Sequence, residues 1–274
     1  MNDLQHLLTY SIPAVILLAT IEAFVLSWLR KGDYDWRSYF ASMADALVRQ
    51  YLVYVFLPLS LAAPLIGWAW SHRLTTLQID SLPAFLLFFL GLEFCYYWFH
   101  RAAHRVRWFW ATHGVHHSTN GYNLSVAYRF GWTGALTGMA VFYVPLIWIG
   151  FSPAIVFTSL SLNLLYQFWL HVDWIPRLGV LEWVLNTPSH HRVHHAANAE
   201  YIDGNYGGVL IVFDRLFGTF KPERADLPCR YGLVEPLTSN NPLKIAFHAW
   251  GQLFRDIWKA RSWRERLTLP FSPP

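Results

Sequence analysis

The sequence predicts an all-α integral membrane protein, with about four to five membrane helices and a cytosolic helical cap that carries boxes of histidine. Three observations predict it. Of 274 residues, 54% are hydrophobic and only 14% charged, where soluble domains carry roughly 25% charged residues. Fifteen tryptophans and fourteen tyrosines are present, the side chains that gather at membrane–water interfaces. Several apolar runs are also long enough, at about 1.5 Å per residue, to cross a hydrocarbon core of roughly 30 Å.

The first run, Leu7 to Leu29, is apolar except for Glu22. It is too long for a removable signal peptide and lacks the basic start and small-residue cleavage site. Tyr51 to Trp70 is the second run, and Leu82 to Phe99 the third, broken only by Glu93. Thr133 to Ile149 and Pro153 to Leu170 are the fourth and fifth. The turn Gly150-Phe151-Ser152-Pro153 makes these two an antiparallel pair. The shorter runs are open to a re-entrant course. A single domain is read over 1–274, with its histidine-box core at 82–220.

Basic residues set the orientation. With the box-bearing ends in the cytosol, loops 30–50, 100–132 and 171–274 lie inside, and of the 21 Lys and Arg only Arg73 falls outside. The reverse topology would oppose the positive-inside tendency. The N-terminus, with Asp3 and no basic residue, therefore goes outside, as in a bacterial inner membrane or its equivalent. The net charge of +4 is a topology signal, and no nucleic-acid partner is expected. Cys95 falls in a membrane run and Cys229 in a cytosolic loop, which implies neither a disulfide framework nor a thiolate metal site. In the tail, 241–267, Leu243, Phe247, Trp250, Phe254, Ile257 and Trp258 recur at helical spacing, with Lys244, Arg255, Lys259 and Arg261 between them. This is either a basic amphipathic helix of the headgroup region or a surface helix packed on the cap.

Ten of the 13 histidines fall in three boxes or just upstream of the last. The boxes are His100-Arg-Ala-Ala-His104, His113-Gly-Val-His116-His117 and His190-His191-Arg-Val-His194-His195. Residues at i, i+3 and i+4 share a helix face, so each box projects two or three imidazoles in one direction. Buried imidazoles are costly and repel one another once protonated, so a converging cluster needs metal to hold it. The candidate ligands are His100, His104, His113, His116, His117, His191, His194 and His195, joined by His171 at the end of the fifth run. Gln167, one turn deeper, is a candidate for water-mediated binding or for holding a ligand in place. His190 precedes the His191–His195 ligands of the third box and is read as a proton carrier or outer partner. His6, His72 and His248 are read as structural. Asp173, Glu182, Glu200, Asp203 and Asp214 are candidates to accept the second N–H of a ligating imidazole, or are solvated loop charges. No general base apart from the metal chemistry is legible.

These motifs resemble the fatty acid hydroxylase and sterol desaturase superfamily, whose signature is HxxxH, HxxHH and HxxHH over a membrane bundle. The likeness runs from about Leu82 to Phe220. Within it, Asn186-Thr-Pro-Ser-His-His-Arg-Val-His-His195, Asn205-Tyr-Gly-Gly, Asp214-Arg-Leu-Phe-Gly-Thr-Phe220, Tyr122-Asn-Leu-Ser125 and the Gln-xxx-His at 167–171 look most like its alkylglycerol monooxygenase branch. The resemblance implies two iron ions and an O₂-dependent oxidoreductase that hydroxylates, or desaturates, an unactivated C–H bond of a lipid. Imidazole suits both iron and zinc. Zinc has no redox change to offer, so iron is the functional metal, with zinc expected in some purified samples. No Rossmann fingerprint appears, nor any flavin motif or fused cytochrome. Electrons must then come from a partner protein or a small reductant, and the branch resemblance points to a reduced pterin. Nothing in the sequence sets an oligomeric state.

Two other classes use histidine clusters. A zinc-dependent membrane hydrolase would want a glutamate base in an HExxH-like setting, whereas Glu22 and Glu93 lie within helices away from the boxes. A metal transporter would hold its ligands at mid-membrane on broken helices. A lipid pocket is expected among Phe94, Tyr97, Phe142 and Phe168, opening sideways to the bilayer.

Overall fold

The computed structural model describes residues 2–29 and 32–274, and side chains from residue 11 onward other than 53 and 54. Helices and short 3₁₀ turns make up its regular structure, and only isolated β-bridges occur among the described residues. The all-helical expectation is met.

Helix α1 (Asn2–Leu29) buries Ala19 and Ala23 and turns Leu17, Phe24 and Trp28 outward. Small residues thus face the protein and large apolar ones face away from it, as beside lipid. Glu22 is the polar exception on the inner side. It accepts hydrogen bonds from the Leu124 amide at 2.7 Å and the Trp174 indole at 3.0 Å, which ties α1 to the segments around residues 124 and 174.

The second apolar run is two helices. Helix α2 (Trp36–Phe56) stops at a 3₁₀ turn, Leu57–Leu59, and the chain restarts as α3 (Ala63–Ser71). Pro58 has no N–H to continue the helical ladder, and hydropathy alone cannot register that break. Helix α4 (Leu82–Arg105) is continuous. Ser81 caps it by accepting from the Ala84 amide at 3.4 Å, and Pro83 sits in its first turn, where its fixed φ is favourable. The helix runs on past Phe99, so His100 and His104 belong to it and share its inner face. Helix α5 (Arg107–His113) follows after an extended residue at Val106.

The fourth run is also broken. It holds α6 (Gly134–Thr137), a 3₁₀ turn at Met139–Tyr143 and α7 (Val144–Ile149). The break falls at Gly138, whose φ of 76° is in the left-handed region that favours glycine. Helix α8 (Pro153–Phe168) is capped by Ser152. Helices α3, α4, α7 and α8 close over one apolar core that includes Phe88, Leu92, Leu146, Ile147, Phe151 and Val156.

Beyond α8 the chain is mostly irregular, with α9 (Pro188–His194), α10 (Val212–Leu216), α11 (Pro242–Lys259) and α12 (Trp263–Thr268). Helix α11 buries Ala249, Trp250 and Leu253 against Trp108, Trp110 and Ala111 of α5. It leaves Phe254 and Trp258 outside, so it is a packed surface helix that also presents an apolar ridge. Among the described residues, α1 (from Ser11) and α4 are by length and composition the two helices long and apolar enough to cross a membrane.

Candidate metal centre

Nine of the histidines singled out above come together in two groups. The first contains His100, His104, His113, His117 and His194. The second contains His116, His171, His191 and His195. Within each group every residue offers one ring nitrogen within 4.8 Å of the others. The second and third boxes are each split between the two groups. The chain tightens into a 3₁₀ turn at His116–Ser118, which sets the rings of His116 and His117 at 84° and sends them to different groups. On α9, His191 and the residue just after its end, His195, are one turn apart and enter the second group, while His194 faces the first. The groups abut: the rings of His117 and His195 stack with centroids 4.3 Å apart.

The hydrogen bonds around these rings assign their protons. Nδ1 of His100 faces the Tyr206 carbonyl at 2.9 Å, and that of His116 the Arg129 carbonyl at 3.1 Å. Nδ1 of His171 faces the Gln167 carbonyl at 2.9 Å, and that of His194 the Gly204 carbonyl at 3.0 Å. A carbonyl only accepts, so each of these Nδ1 atoms carries the hydrogen and each Nε2 is a bare lone pair. The Nε2 atoms of His116 and His171 nevertheless lie 3.2 Å apart. Two acceptors at that distance repel unless a cation sits between them. The Nε2 atoms of His104 and His194 are buried without a hydrogen-bond partner.

The spacing fits ligation. The nearest Nε2–Nε2 pairs are separated by 3.0 Å for His171–His191 to 3.3 Å for His113–His117. Ligands at about 2.1 Å from one ion are separated by roughly 3.0 Å at right angles and roughly 3.4 Å in a tetrahedron. Burial, reinforced by the His194 ring, pushes His113 down to about 3. Burial likewise holds His171 and His194 at about 4, and His116, His117, His191 and His195 well below 6.5. At neutral pH these seven rings are uncharged, the state in which imidazole binds a metal. The donor set therefore fits two transition-metal ions.

His190 joins neither group. Its ring lies against Phe220, and its Nε2 is 3.9 Å from Glu182, so it stays out of the cluster although it is four residues from His194 on α9, a spacing that places the two on one helix face. The Gln167 side chain accepts from the Tyr96 hydroxyl at 3.0 Å and donates to Asn163 at 2.6 Å. It holds His171 through its backbone carbonyl. The four acceptors seen on the histidine Nδ1 atoms are all backbone carbonyls, so the carboxylate candidates act further out. Asp214 accepts from the amides of Tyr206 and Gly207, both at 2.7 Å, and Asp203 from the Tyr206 hydroxyl at 3.1 Å. Glu182 accepts from the Leu178 amide and the Thr187 hydroxyl, and Glu200 is exposed. His72 pairs with the Trp68 carbonyl and His248 with the Ile245 carbonyl, apart from both groups. His6 lies outside the described side chains.

The four aromatics expected to line a pocket make ring contacts between elements. Phe94 meets Phe213 and Phe217, Tyr97 meets Phe217, Phe142 meets Phe99 and Phe109, and Phe168 meets Tyr128. Sequence reasoning set Glu93 aside as lying away from the boxes, yet it is buried and bonded to the amides of Val209 and Leu210. Its signal was legible: a lone carboxylate in an apolar helix, two turns before His100 on the same face.

A fatty acid hydroxylase family model matches residues 85–219, a stretch that contains all nine clustered histidines. The human alkylglycerol monooxygenase is 38% identical over 264 residues, 96% of this chain and 58% of that protein. The Danio rerio alkylglycerol monooxygenase is 36% identical over the same shares of each chain. An ornithine lipid hydroxylase, OlsE of Rhizobium tropici, is 31% identical over 156 residues, 54% of this chain and 47% of that one. The chain thus spans just over half the length of the two monooxygenases. No solved structure gives a significant match. With the three boxes in place and a family match that encloses them, the chain belongs to the fatty acid hydroxylase family.

Proposed function

We propose that the chain is a membrane-bound, O₂-dependent di-iron oxidoreductase that hydroxylates an unactivated C–H bond of a membrane lipid. The single observation that carries the metal reading is the pair of bare lone pairs on His116 and His171, 3.2 Å apart, which only a cation can reconcile. In this reading His100, His104, His113, His117 and His194 hold one iron ion, and His116, His171, His191 and His195 hold the other. Iron bound there supplies the redox change and O₂ activation that a saturated carbon requires, which zinc does not. The chain's own residues keep the ligands neutral and aimed: burial suppresses protonation, and the carbonyls of Tyr206, Arg129, Gln167 and Gly204 fix which nitrogen faces the metal. Hydroxylation is favoured over desaturation because the similar proteins are named as monooxygenases of alkylglycerols and as a hydroxylase of ornithine lipids. Electrons come from a partner protein or a small reductant such as a reduced pterin.

Membrane lipids from cells with and without the chain, grown under ¹⁸O₂, test the reaction. One lipid class should gain a single ¹⁸O atom only when the chain is present. A product that forms equally without O₂ would favour the zinc hydrolase, and metal uptake with no lipid product would favour the transporter.

The same reading places about four to five membrane helices in the bilayer, the shorter apolar pieces open to a re-entrant course, with the histidine cap in the cytosol. Reporter fusions should find the C-terminus cytosolic and the N-terminus outside, following the basic residues. An external C-terminus would contradict both the topology and the cytosolic placement of the boxes.

A further inference from the structure

Glu93 lies within the apolar run of α4 and is 1% exposed. A carboxylate costs free energy at that depth, and nothing in the proposed reaction uses it. Its oxygens are nonetheless engaged. Oε2 accepts from the Val209 and Leu210 amides at 2.8 Å each, and Oε1 accepts from the Asn163 side-chain amide. Two arms lead from it toward the histidines.

The first arm is the loop 204–210. Glu93 grips its far end, while Asp214 grips the near end through Tyr206 and Gly207. At Gly208 the backbone presses against the Asn163 side chain so closely that a Cβ would lie 2.5 Å from its Nδ2, so only glycine allows the approach. From this clamped loop the carbonyls of Gly204 and Tyr206 reach His194 and His100.

The second arm is a directed chain. A carboxylate only accepts, so Asn163 must turn its NH₂ to Glu93 and its carbonyl to Gln167. Gln167 then gives its NH₂ to Asn163 and its carbonyl oxygen to the Tyr96 hydroxyl, which donates. Each amide orientation follows from the charge at Glu93. The chain pins α8 at Gln167, whose backbone carbonyl holds His171.

We propose that Glu93 is a positioning residue for both histidine groups at once, acting on His100 and His194 through the loop and on His171 through Asn163 and Gln167. This rests on the metal-binding reading given above.

The test uses the full chain in detergent, loaded with iron and challenged with graded chelator, alongside Glu93→Gln and Glu22→Gln. Glutamine at 93 keeps the size of the side chain and one accepting oxygen, but sets its NH₂ against that of Asn163. This variant should match the wild type in metal-free thermal stability and yet lose iron at about tenfold lower chelator, the low end for outer partners of metal ligands. Glu22 is a similarly buried carboxylate on α1, and Glu22→Gln should retain iron like the wild type. Should Glu93→Gln not accumulate, Asn163→Leu removes the α8 arm and should lose iron at lower chelator than the wild type, first from the group that contains His171. Wild-type retention in Glu93→Gln, or equal loss in Glu22→Gln, overturns the positioning role and leaves the metal reading intact. A wild type that takes up no iron overturns both.

Discussion

Replacing His171 by alanine should abolish lipid oxidation and remove metal from the second histidine group. Its Nε2 faces those of His116 and His191 at 3.2 and 3.0 Å, so the substitution leaves three imidazoles where four converge. Loss of an outer partner typically costs 10–100-fold in metal affinity or activity. Loss of a ligand in direct contact should exceed about 100-fold. The matched control is His248→Ala. His248 bonds to the Ile245 carbonyl on α11, apart from both histidine groups, and its loss should leave activity and metal content unchanged. Product yield and metal content of the two purified variants decide the matter. Full activity in His171→Ala would remove that residue from the site.

Asp214→Ala should unfold the loop that supports the first group, with the largest stability loss of any single change considered. Asp214 is 0% exposed and accepts from the Tyr206 and Gly207 amides and from the Thr219 hydroxyl. Alanine leaves these donors without an acceptor in a buried site, at about 1–3 kcal/mol for each, so roughly 3 kcal/mol or more overall. Thermal inactivation in detergent should shift down by several degrees, and iron bound near His100 and His194 should go first. Asp214→Asn should fall between, because one amide oxygen still accepts while its NH₂ opposes a donor. A variant with unchanged thermal behaviour would show that the loop is held by other bonds.

The histidine site was legible because helical spacing is a strong signal. His100 and His104 on α4, and His191 with His195 at the end of α9, are four residues apart and share a face whatever surrounds them. The division into five and four was not legible, since it depends on the tightening at His116–Ser118 and on how α9 sits between the groups. The carbonyls of Tyr206, Gly204, Arg129 and Gln167 were equally hidden, because a backbone carbonyl has no residue-type signature. Apolar length overstated helix length in two runs, where Pro58 and Gly138 interrupt segments whose composition is uniformly apolar. Glu93 was visible in the sequence, but its reach to the loop at 209–210 crosses more than a hundred residues that local pattern cannot bridge.

The most direct test of the central claim is the metal content of the chain purified from membranes grown with iron, measured together with that of a His116→Ala, His171→Ala double variant. Two iron ions per wild-type chain are expected, with a single ion retained by the double variant. A wild-type chain that binds no more than one ion, or a double variant that keeps two, would contradict the assignment of these nine histidines to a metal pair.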